Sequence, residues 1–185
     1  MNPLFAAASE IEQFCVQRDW DFCFIGGIAV LKWGEPRLTL DVDLTLLTGY
    51  GNEEPFIEAL VSGFRGRVED TAGFARRHRV VLVRSDNGVP IDIALGALPF
   101  EERAVRRASR FDVGEGHALR VCSAEDLIVH KAFAGRDRDW VDVEGIVIRQ
   151  SGSLDLELIW SELRPLLALK EDHGAELRLR ELLHR

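Results

Sequence analysis

Long apolar runs, cysteine and lysine are all scarce in this 185-residue chain, and each scarcity excludes something. The longest apolar stretch, Cys23 to Leu31, is interrupted by two glycines. It falls well short of the roughly 20 residues that a membrane-spanning helix needs, so no membrane partner is expected. No basic leader precedes an apolar region at the N-terminus, so no secretory signal is expected either. The three cysteines, Cys15, Cys23 and Cys122, are scattered and odd in number. They form neither a disulfide framework nor a metal spacing, which points to a reducing cytoplasm. The five histidines lack zinc spacing, and no Ser-His-Asp arrangement can be argued. Only three of the 23 basic residues, Lys32, Lys131 and Lys170, are lysine, so a lysine at any candidate site stands out. The net charge of −8 excludes a broadly basic nucleic-acid binder, though a local basic groove remains compatible with it.

What is present is an ordinary globular composition, long enough for one domain or a main domain with a small appendage. Residues 2–18 read as a helix, 21–25 as a strand, and 28–33 as a helix broken by Gly34-Glu-Pro36. A further amphipathic helix is expected over 53–63. Val80–Arg84 and Val89–Leu95 read as strands joined by Ser85-Asp-Asn-Gly88, and Asn-Gly between such runs signals a hairpin. A short helix over 99–109 and a second hairpin around Gly114-Glu-Gly116 follow. From Ser123 the periodicity is helical almost to the end, over 124–133, 140–149, 153–169 and 174–184. The expected architecture is a mixed α/β domain, with an α+β mixed sheet, over residues 1–122 and a helical C-terminal part over 123–185.

The candidate chemistry lies in the first domain. Gly26-Gly27 stands between a strand and a helix. Glycines there let the backbone approach a ligand, and free N–H groups at a helix start attract phosphate. Fourteen residues after Gly27 comes Asp41-Val42-Asp43. From 37 to 46 the alternation is complete: Leu38, Leu40, Val42, Leu44 and Leu46 on one face, Arg37, Thr39, Asp41, Asp43 and Thr45 on the other. Two carboxylates then project side by side, and they repel unless a cation lies between them. Hard oxygen donors at that spacing suit Mg²⁺. Asp92 repeats the pattern, opposite the face of Val89, Ile91, Ile93 and Leu95. If the hairpin sets its strand beside Asp41 and Asp43, three acids share one sheet face. Otherwise Asp92 is a solvated strand residue or part of a hairpin salt bridge.

The run Gly26-Gly27, spacer, Arg37-Leu-Thr39-Leu-Asp41-Val-Asp43 resembles the polymerase-β-like nucleotidyltransferase superfamily, and within it the AbiEii/AbiGii abortive-infection toxin branch. The resemblance implies a nucleotidyltransferase-type palm followed by helices. It implies transfer of a nucleoside monophosphate from an NTP to a hydroxyl acceptor, an RNA such as tRNA or a protein. Asp41, Asp43 and Asp92 would be catalytic and would hold two Mg²⁺ ions, or Mn²⁺ in their place. Gly26, Gly27, Arg37 and Lys131 would contact the nucleotide. A toxin–antitoxin or phage-defence role, with a cognate partner, goes with that branch. The alternatives are a small-molecule nucleotidyltransferase of the aminoglycoside type, or a non-catalytic nucleotidyltransferase-like module or antitoxin. A glycosyltransferase using Asp-x-Asp leaves the glycine pair unexplained.

The remaining charged groups have structural readings. Arg37 either neutralises the strand acids or touches triphosphate. Lys131, in Glu125-Asp-Leu-Ile-Val-His-Lys131, leans toward the apolar side of its helix, and it either reaches out to solvent or points into a cleft. Ser123-Ala-Glu-Asp126 reads as a capping box. Asp137 or Asp139 reads as the cap of the next helix, within a charged segment, Arg136 to Asp142, that also resembles the family. Arg103, Arg106, Arg107 and Arg110 form a helical stripe read as a solvated face, as is the run Arg76 to Arg79.

Overall fold

A computed structural model describes residues 2–170 and 174–184. Along the chain run α1 (Pro3–Val16), β1 (Phe22–Phe24), α2 (Gly26–Trp33), β2 (Val42–Leu47), α3 (Glu54–Gly63), β3 (Arg65–Gly66), α4 (Thr71–His78), β4 (Val80–Arg84), β5 (Pro90–Gly96) and α5 (Pro99–Arg107). They are followed by β6 (Ser109–Gly114), β7 (His117–Val121), α6 (Ala124–Ala134), α7 (Asp137–Arg149), α8 (Leu156–Lys170) and α9 (Gly174–Leu183). The chain divides into two compact units, one of residues 1–28 and 38–122, the other of residues 29–37 and 123–185. No described helix is long and apolar enough to cross a membrane.

The first unit is built on a seven-stranded mixed sheet in the order β3-β4-β5-β2-β1-β7-β6. The hairpin expected at Asn87-Gly88 forms, with Gly88 at φ +84° and Val81 opposite Ile93. It sets β5 parallel beside β2, with Val42 opposite Ile91, Asp43 opposite Asp92 and Leu44 opposite Ile93. A parallel pair needs a long connection. Here α3, β3, α4 and the β4–β5 hairpin supply it. Val42, Leu44, Leu46, Ile91 and Ile93 are fully buried, so one face of this pair is core. Burying side chains of this size contributes on the order of 1.5–3 kcal/mol each, which fixes the register and with it the direction of the intervening acids.

The alternation expected over 37–46 holds only from Val42 onward. Leu38 and Leu40 are 77% and 70% exposed, and residues 37–40 belong to no strand. The reason is the neighbour. β5 begins at Pro90, which has no N–H to extend the ladder, so the pairing with β2 starts at Val42.

Residues 65–79, for which the periodicity suggests no element, form β3 and α4. Asp70 caps α4 through Gly73 N at 2.8 Å. Arg79 closes the helix in the left-handed region, at φ +55°. Its guanidinium donates to the carbonyl oxygens of Leu95 at 2.6 Å and Gly49 at 3.1 Å, and it pairs with Glu53. The Arg76–Arg79 run is thus partly structural. The arginine stripe does not stay on one helix: α5 ends at Arg107 and Arg110 lies on β6, paired with Glu12 at 2.9 Å.

The second unit takes in the later part of α2 and α6 to α9. Ser123 caps α6, its hydroxyl accepting from Asp126 N at 3.1 Å and donating to Asp126 Oδ2 at 2.8 Å. Gly135 ends α6 at φ +71°. Leu127, Ile128, Val143, Ile146, Ile159 and Leu163 are fully buried.

Candidate active site

The carboxylates are placed by β2 and β5. Asp43 and Asp92 are in-register partners on adjacent strands, so they share one sheet face about 5 Å apart along the hydrogen-bonding direction. Asp41 precedes β2 by one residue and is exposed. Its carboxylate accepts from the Thr39 hydroxyl at 3.2 Å. Asp43 reaches the start of α2, where its Oδ2 accepts a long hydrogen bond from Gly27 N at 3.4 Å.

The glycine pair is fitted to these side chains. Gly26 has φ +55°, where an L side chain is strained, and a Cβ on it would overlap the Asp43 carboxylate. A Cβ on Gly27 would overlap the Thr39 hydroxyl. The turn thus brings bare backbone against Asp43 of β2 and against Thr39, which precedes the strand. It also leaves N–H groups at the start of α2, which suit an anion.

Asp92 carries a partner that periodicity does not reveal. Arg67, just past β3, forms an ion pair with Asp92 Oδ1. Arg67 N donates to Leu82 O at 3.0 Å, Leu82 is opposite Asp92, and Asp92 is opposite Asp43. The four positions therefore form one row across β3, β4, β5 and β2. Partial burial pushes the Asp92 carboxyl above its ordinary value. The Arg67 charge opposes this rise, and the nearby Asp41 charge adds to it. The only hint of Arg67 in the sequence is the alternation Arg65-Gly66-Arg67, too short to register as a strand.

The nucleotidyltransferase resemblance implies a divalent cation. The donor chemistry fits, since three carboxylates of neighbouring segments supply hard oxygens and the Asp41 charge is felt at Asp92. As they stand, no group of three or more His, Cys, Asp or Glu among the described residues is arranged to hold a metal ion. Each acid is instead engaged by a protein donor: Thr39, Gly27 and Arg67 respectively.

Lys131 and Arg37 lie in the second unit. Lys131 is buried, its ammonium 2.7 Å from Asp142 and 3.2 Å from Asp139. Arg37 lies beside Asp142. It donates from Nε and Nη2 to the two carboxylate oxygens of Asp142, at 2.7 and 2.8 Å, a bidentate pair. Asp139 also caps α7, accepting from Arg136 N at 3.3 Å and Arg136 Nε at 2.6 Å. Burial works to raise both aspartates. For Asp139 the hydrogen bond from Arg136 and the Lys131 charge outweigh it, and for Asp142 those from Arg37 and Lys131 do. Both carboxyls are held below their ordinary value. In the sequence Asp142 is only one of several charged residues, because nothing local marks it as a shared partner of Arg37 and Lys131.

Comparison with known proteins is consistent with this geometry. The family model for the nucleotidyl transferase AbiEii toxin of a type IV TA system matches residues 15–183. No curated protein matches the chain. Among solved structures, an antigenic nucleotidyltransferase-like protein from Paracoccidioides brasiliensis aligns with a TM-score of 0.50 at 16% identity, over 96% of this chain and 95% of that one. The antibiotic-resistance factor ANT(2'')-Ia aligns with a TM-score of 0.56 at 19% identity, over 88% and 90%. These two are likenesses of fold. The family match spans nearly the whole chain, so this protein belongs to the AbiEii nucleotidyltransferase toxin family and is a nucleotidyltransferase.

Proposed function

We propose that this chain moves a nucleoside monophosphate from an NTP to a hydroxyl on RNA or protein, releasing pyrophosphate, as the toxin of a toxin–antitoxin pair. The observation that carries the reading is the placement of Asp43 opposite Asp92 on parallel neighbouring strands, with the Gly26-Gly27 turn against Asp43. Asp41, Asp43 and Asp92 would hold Mg²⁺. When bound, a divalent cation there supplies electrostatic stabilisation of the attacking and leaving oxygens.

The chain's own groups do the rest. Asp92 accepts the proton of the acceptor hydroxyl, whose oxygen attacks the α-phosphorus as the bond to the β-phosphate oxygen breaks. Gly26 and Gly27 admit the outer phosphates to the N–H groups at the start of α2. Lys131 and Arg37 remain nucleotide-contact candidates of the second unit. Their pairing with Asp142 supports a prior duty in that unit: holding α6, α7 and the segment after α2 together.

The test is incubation of the protein with each labelled NTP, Mg²⁺ and total cell extract. Label in an RNA or protein fraction, with pyrophosphate released, is the expected result. Label on a small molecule would move the reading to an antibiotic-modifying type of enzyme. NTP turnover or binding with none of the four nucleotides would mark an inert module and overturn it.

A further inference from the structure

The row Arg67–Leu82–Asp92–Asp43 brings the Arg67 guanidinium onto the candidate metal face, paired with Asp92. Asp41 accepts from the Thr39 hydroxyl, a dipolar donor that shares a carboxylate with a cation at little cost. Asp92 differs, because a guanidinium already occupies one of its oxygens. A divalent ion drawn to Asp92 must either displace Arg67 or sit beside a like charge, and both oppose binding. The Arg67 and Asp92 side chains are only a quarter and a third exposed, so water screens this competition incompletely.

We infer that Arg67 is a positioning residue that competes with the divalent cation for Asp92, keeping the site poor in metal until nucleotide arrives. Incoming phosphate oxygens both accompany the cation and offer the guanidinium an anionic partner other than Asp92. The inference rests on the metal-site reading above and assigns Arg67 a role within it.

The experiment is a titration of the full chain with Mn²⁺ alone, followed by calorimetry or electron paramagnetic resonance, with no nucleotide present. Arg67→Gln is expected to tighten Mn²⁺ binding by about five- to tenfold, the scale of one partly screened charge pair. Arg67→Lys, which keeps the charge, should stay near wild type. In an Asp92→Asn background the gain from Arg67→Gln should vanish. A misfolded variant does not bind its metal more tightly, so a gain cannot come from structural damage.

Unchanged or weaker Mn²⁺ binding by Arg67→Gln, with binding lost in Asp43→Asn, overturns the competition and leaves the metal site standing. The same gain in the Asp92→Asn background overturns it too, since the effect would then be a general field. If Asp43→Asn binds Mn²⁺ as wild type does, the metal site itself is wrong and the inference falls with it.

Discussion

Gly26 combines two constraints at one position. Its φ of +55° disfavours any L side chain, and the space where a Cβ would stand is filled by the Asp43 carboxylate. Gly26→Ala should therefore cost about 1–3 kcal/mol in stability. It should also push Asp43 off its position, and a displacement of about 1 Å at a reacting centre is worth roughly a hundredfold in rate. The expected outcome is a modest fall in melting temperature with a disproportionate loss of nucleotide transfer per folded molecule. Equal losses of the two would assign Gly26 to the turn alone. At Gly27 a Cβ would overlap the Thr39 hydroxyl and crowd the Thr39 Cβ as well, so the segment carrying Thr39 would have to shift and its contact with Asp41 would be disturbed.

At the scale of elements, α6 and α7 are tied by buried charge, which gives the second unit a pH signature. Asp139 and Asp142 are held below the ordinary carboxylate value of 3.8. A depressed carboxyl adds stability that is fully present above the unfolded value and is lost as the pH falls through the folded one. The folded values lie below 3.8, so the loss should fall at more acid pH than that. Asp142→Asn leaves the buried Lys131 and Arg37 short of a partner and should cost roughly 3 kcal/mol or more at neutral pH. In thermal melts the gap between wild type and this variant should hold down to about pH 4 and then narrow. A gap independent of pH would show that the carboxylate charge is not what joins the helices. Asp92, raised by burial, has the opposite sign: its ionisation weakens the fold as the pH rises through its folded value.

Which elements were legible follows from whether local pattern and partner agree. The β4–β5 hairpin was readable because Asn87-Gly88 encodes the turn and Pro90–Gly96 alternates about a buried stripe. The second hairpin and the late helices were readable on the same grounds. Two features were not. Leu38 and Leu40 continue the alternation of β2 but find no strand beside them, since pairing depends on where β5 begins. Residues 65–79 carry too little apolar periodicity to announce β3 and α4, and with them Arg67 was lost from view. The acids of β2 and β5 were legible from their faces, whereas the cation opposing Asp92 and the anions opposing Lys131 come from remote parts of the chain.

For the whole molecule, the family assignment and the sheet order state one idea at two levels. Asp43 and Asp92, far apart in sequence, become neighbours because a parallel crossover returns β5 to the flank of β2. The net charge of −8 leaves no general attraction for a polyanion, so on the proposed reading NTP is admitted by local chemistry, the backbone N–H groups and a cation carried on the acids. That reading makes the acidic trio the part the reaction depends on. The most direct test is Mg²⁺-dependent transfer of labelled nucleotide by wild type and by Asp41→Asn, Asp43→Asn and Asp92→Asn, each confirmed folded. Loss of more than about a hundredfold in all three is predicted, exceeding the effect of groups that merely support metal ligands. Transfer at the wild-type rate by any one of them would contradict a catalytic centre built on these three carboxylates.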